Sequence, residues 1–145
     1  MQQNDDDCKY SLAMTLISAG DVQTDTNNME EAKVAFDRAL ELMRKLNKKS
    51  NGHYLPEIAL ICHNYAHALV QRTNDFDKAL LLINESIAIR RNLEKLMPRL
   101  YSPLLATSQQ VKRKILELQE LPESEVKRFQ MLVNLGHKFR SWFSF

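Results

Sequence analysis

At 145 residues and 44% hydrophobic, the chain is the size of one ordinary domain and carries enough apolar side chains for a core. Three glycines and four prolines, set against abundant Leu, Ala, Lys, Arg, Glu and Gln, suit helices and starve β-turns, which disfavours all-β folds and glycine-looped nucleotide folds. A formal net charge of +2 is too mild to argue for nucleic acid or an anionic membrane, so neither is expected as a partner.

Residues 1–7 are polar and acidic, with no cationic start leading into an apolar run, so no secretory signal is read there. No segment approaches the ~18 apolar residues of a membrane span. Cys8 and Cys62 are too few to staple a fold of this size and point to reduced thiols in a cytoplasmic setting. The first helix is predicted over residues 9–22. The second, over 29–47, has Asn28 as N-cap with Glu31 three residues on, a capping-box pattern. It ends in Arg44, Lys45, Lys48 and Lys49, where the helix dipole favours cations. Its apolar stripe is Ala32, Phe36, Ala39, Leu42, Met43 and Leu46. A third helix over 56–72 turns Ile58, Cys62, Tyr65, Ala66 and Leu69 inward. Asp75 starts the fourth, with Ala79, Leu82, Ile83, Ser86, Ile89 and Leu93 as its stripe. A fifth is predicted over 103–119. Pro122 opens the sixth, which runs towards Phe139 with Val126, Phe129, Leu132 and Val133 inward.

The chain matches itself at an offset of about 47 residues. This sets Tyr54, Pro56 and Ala59 on Tyr101, Pro103 and Ala106. It also pairs Ala32 with Ala79, Phe36 with Ile83, Ala39 with Ser86, Arg44 with Arg91 and Leu46 with Leu93. A third, weaker copy follows, with Val126 at the place of Ala79 and Val133 at that of Ser86. Each period holds two short amphipathic helices that cannot bury their stripes alone, so an all-α fold of three antiparallel pairs is expected, over 8–48, 54–96 and 101–140, in one domain. The repeats fill the chain and leave no room for a separate catalytic domain.

The segment running from Met29 through Ala32, Phe36 and Ala39 to Leu42 resembles the second helix of a tetratricopeptide repeat: a small residue, an aromatic four later, a small residue three after that. The segment from Asp75 through Ala79, Ile83 and Ser86 is similar, and Asn64-Tyr65-Ala66 with Leu69 occupies the place of the family's first-helix signature. The long period and the Tyr-x-Pro-x-x-Ala starts look most like the repeats of kinesin light chains. The resemblance implies a right-handed solenoid whose first helices line a concave, peptide-holding groove. It places His63, His67 and Gln71 on the groove face of the middle pair, and Gln109 and Arg113 on that of the third. These are donors suited to partner carbonyls or carboxylates, although a solvated face without a ligand explains the same pattern. The expected function is a protein-interaction adaptor or scaffold. The alternative is a peptide-sensing regulatory domain of a larger signalling or transcription-control system.

Other chemistries fit less well. His63 and His67, one helical turn apart beside Cys62, have metal-ligand spacing, but no Glu follows His63, Cys62 falls on the inward stripe and no second ligand pair exists, so no metal is expected. No cofactor motif, nucleophile or paired carboxylates are present, and no enzyme activity is expected. The basic clusters at 44–49, 90–91 and 112–114 are interleaved with acidic residues and Gln. The tail at 141–145 brings Trp142, Phe143 and Phe145 together, either as a cap on the open end of the stack or as a self-association contact producing a homo-oligomer.

Overall fold

In the computed structural model, residues 2–136 are described. They form six helices: α1 (Gln2–Asp25), α2 (Met29–Lys49), α3 (Leu55–Arg72), α4 (Phe76–Leu96), α5 (Pro98–Gln119) and α6 (Glu123–Leu135). The described residues contain no strand.

The helix ends show which local signals act. α1 starts at residue 2, well before the expected residue 9, because its acidic first turns find cations: Lys9 Nζ lies 2.7 Å from Asp5, and Lys49 of α2 reaches Asp6 at 2.8 Å. It stops at Asn27, whose φ of +59° is left-handed, and the Asn28 N–H then donates to the Gln23 carbonyl at 2.7 Å. That bond removes the donor a capping box needs. Asn28 caps α2 without any side-chain hydrogen bond, contrary to the sequence expectation. α4 is capped as expected, Asp75 Oδ1 accepting the Lys78 N–H at 3.3 Å. α5 begins at Pro98, not Pro103, because Pro98 serves the first turn and Pro103 sits inside the helix at the loss of one bond to the Arg99 carbonyl.

Ala32, Phe36, Ala39, Met43, Tyr65, Ala66, Leu69, Ala79 and Ile83 are fully buried. The Phe36 and Tyr65 rings stack at 5.1 Å across α2 and α3. Gly20 of α1 lets the Phe36 ring come so close that a Cβ there would lie 2.7 Å from Cζ. Cys62 is also fully buried, as its place on the stripe implies.

α1 packs on α2 and α3 on α4, while α3 also meets α2 and α5 also meets α4. α1 and α5 flank α3. α6 departs from this order. It starts at residue 123, one period after Phe76, yet its principal helix contact is with α3. Gln130 Nε2 donates to the Val70 and Thr73 carbonyls at 3.2 and 2.6 Å, satisfying orphan acceptors at the C-terminal end of α3. Lys114 of α5 sits 5.3 Å from the Phe129 ring centre. Val126 is buried as expected, but Leu132, expected inward, is 39% exposed because α6 does not lie along α4.

Candidate partner-binding site

The residues expected along one groove divide into two groups. His63, His67 and Gln71 of α3 are half-buried, not a solvated face. His63 Nδ1 lies 2.9 Å from Ser108 Oγ of α5 and 3.3 Å from Arg90 Nη1 of α4. Arg90 is itself 4% exposed, donating to the Leu104 carbonyl at 3.0 Å and to Ser108 Oγ at 2.7 Å. Ser86 Oγ, 3.2 Å from Ser108 Oγ, donates to the Ala59 carbonyl at 2.8 Å. These side chains form a polar junction that knits α3, α4 and α5 together. Burial pushes the His63 imidazole down to about 3, helped by the permanent cation of Arg90 and by His67. His67, 3.1 Å from Gln71 Nε2, is pushed to about 4 by burial, with Asp25 opposing. Both rings are therefore neutral at pH 7.

Gln109 and Arg113 lie elsewhere, on the wall of a cleft of about 340 Å³ between α4 and α5. α4 contributes Asn84, Ile87, Ala88 and Arg91, and α5 contributes Gln109, Lys112, Arg113 and Leu116. Both sets follow helical i, i+3, i+4, i+7 spacing, so each is one face of its helix. Ile87 is buried at the floor and Leu116 is 44% exposed. Arg91, Lys112 and Arg113 have no ion-pair partner among the described residues, and the lining contains no carboxylate. The cleft is thus apolar at its base and cationic at its rim.

The remaining cations are largely spoken for. Arg44 makes a two-pronged contact with Glu85 at 2.6 and 2.9 Å, and its guanidinium holds that carboxyl below the usual carboxylate range. Lys45 meets Glu41, Lys49 meets Asp6, and Lys114 meets Glu117. Of the basic clusters read from the sequence, Arg90 is buried and Arg44, Lys45, Lys49 and Lys114 are paired with carboxylates, while Arg91, Lys112 and Arg113 converge on the cleft. Sequence reading selected only Gln109 and Arg113 of its lining. Asn84, Ile87, Ala88 and Arg91 were discoverable as the α4 face with the same spacing as 109, 112, 113 and 116.

No family model, curated protein or solved structure matches the chain.

Among the described residues no group of three His, Cys, Asp or Glu side chains is placed to hold a metal ion. No helix among the described residues is long and apolar enough to cross a membrane. Cys8 and Cys62 are free thiols, the first exposed. Burial and the neighbouring Glu85 push the Cys62 thiol up to about 12. Trp142, Phe143 and Phe145 lie outside the described residues.

Proposed function

We propose that this chain is a protein-interaction module, an adaptor built of tetratricopeptide-like helix pairs, that holds a peptide or protein partner against the α4–α5 cleft through Gln109 and Arg113. The observation that carries this reading is the cleft itself: an apolar floor rimmed by three cations that no described acidic residue neutralises. An apolar patch with a few convergent polar groups is where partners bind. His63 contributes indirectly, by fixing α5 against α3 through the Ser108 and Arg90 junction. The chemistry proposed is non-covalent and needs neither cofactor nor metal.

The test is capture of partners by the immobilised chain, compared with the Gln109→Ala, Arg113→Ala double variant, with circular dichroism confirming that both are folded. A partner retained by the parent and lost by the variant supports the reading. An unchanged capture profile refutes it.

A further inference from the structure

The internal period gives the α4–α5 cleft a counterpart one repeat earlier, and that counterpart is occupied. Shifting its lining back by 47 residues converts Asn84 and Arg91 into Asp37 and Arg44 of α2, and Gln109, Lys112, Arg113 and Leu116 into Cys62, Tyr65, Ala66 and Leu69 of α3. All four of these α3 residues are fully buried. α4 seals the α2–α3 groove: Lys78 reaches Tyr65 Oη at 2.7 Å and Asp37 at 3.6 Å, and Glu85 meets both Arg44 and Cys62. One repeat on, α6 should seal the α4–α5 groove. It packs on α3 instead, and its residue at the place of Glu85 is Leu132, which offers Arg91 nothing.

We propose that the α4–α5 cleft, which no described helix fills, is a helix seat whose occupant is an amphipathic partner helix bearing carboxylates, docked as α4 docks on α2 and α3. The charge pattern specifies that occupant. The filled groove is mixed, with Asp37 to receive Lys78 and Arg44 to receive Glu85. The open one replaces Asp37 by Asn84, Tyr65 by Lys112 and Ala66 by Arg113, and retains Arg91. A helix in the same register must therefore present an acid at both contact points, one towards Lys112 and Arg113 and one towards Arg91. Its apolar and small residues would cover Ile87, Ala88 and Leu116. This specifies the partner class for the cleft put forward above and rests on that reading.

The probe is a synthetic peptide of the 21-residue α4 sequence, Phe76–Leu96, carrying Lys78→Glu, so that Glu85 and the new carboxylate occupy the two contact points. Binding to the full chain is followed by fluorescence anisotropy. The peptide is expected to bind at least about tenfold more tightly than one carrying Glu85→Lys in addition, to weaken as salt is added, and to lose about tenfold in affinity for the Arg91→Glu and Lys112→Glu protein variants. Two positive association results overturn the helix assignment while leaving the adaptor reading standing. One is equal binding of a proline-interrupted peptide of the same composition. The other is concentration-dependent self-association of the chain that the same charge reversals abolish, which would make a second copy the occupant. No binding by any peptide, with partner capture still sensitive to Gln109→Ala and Arg113→Ala, overturns the helix seat alone. Insensitivity of both assays overturns the adaptor reading as well.

Discussion

Replacing Gly20 by alanine sets two magnitudes against each other. In mid-helix, alanine is favoured over glycine by about 1 kcal/mol, so propensity alone predicts a more stable protein. The added Cβ, however, would stand 2.7, 2.8 and 2.9 Å from three carbons of the Phe36 ring. The ring cannot retreat easily: Phe36 is fully buried and stacked at 5.1 Å on Tyr65, which is itself fully buried. Overpacking of this kind costs about 1–3 kcal/mol, and three simultaneous contacts against a braced ring place Gly20→Ala at the upper end. The expected net loss is about 1–2 kcal/mol, or roughly 2–8 °C in melting temperature for a domain of this size. Thermal denaturation followed at 222 nm measures it, with Phe36→Leu as the companion change. The smaller side chain should make the two effects less than additive, Gly20→Ala costing less in its presence. A Gly20→Ala protein that melts higher than the parent would refute the close approach of α1 to Phe36.

Four further outcomes follow from particular contacts. Ala32 and Ala79 are wholly inaccessible at matched positions, so leucine at either should cost about 1–3 kcal/mol by overpacking, read from the shift in chemical denaturation midpoint. His63 and His67 are held below their ordinary value near 6.5, so the stability they confer is complete above that pH and is lost as pH falls from 6.5 towards 4 and 3. At pH 5 each should have given up about 2 kcal/mol, and denaturation of a His63→Asn, His67→Gln variant should show a correspondingly flatter pH profile. A double-mutant cycle on Arg44 and Glu85 should return a coupling of about 1 kcal/mol, modest because both groups remain partly exposed. Titration with a thiol reagent should modify Cys8 readily and Cys62 only after unfolding, since the Cys62 thiol is buried and kept protonated.

Helix number and the inward stripes were legible in the sequence because both depend on local spacing and on a repeat that averages over errors. Ala32, Phe36, Ala39, Tyr65, Ala79 and Ile83 all lie where their periodicity placed them. The failure of the capping box read at Asn28 was not legible, because the competing Asn28 to Gln23 backbone bond depends on the left-handed turn at Asn27. Arg90 looked like surface charge beside Arg91, and only the approach of Leu104 and Ser108 from α5 supplies the acceptors that let a guanidinium sit inside. The half-burial of His63 and His67 was not legible for the same reason: which face of a helix a later helix covers is decided by tertiary packing. The position of α6 was the least readable feature. Its start and the burial of Val126 were legible, but the choice between the α4–α5 groove and α3, which leaves Leu132 exposed, turns on a few side chains, Gln130 among them.

The chain reverses from α4 to α5 over the single residue Met97. The two cleft walls are therefore tied at one end by one residue, whereas the three-residue α5–α6 link gives α6 a freer choice of direction. Further along, Arg90 pins the α5 wall by its bonds to Leu104 and Ser108. Walls fixed at a hinge and again at mid-length leave the cleft little width to adjust, so a ligand of matching breadth meets a preorganised surface. Selectivity by size is the consequence: a slim helix face enters without reshaping the protein, and a bulky one is refused.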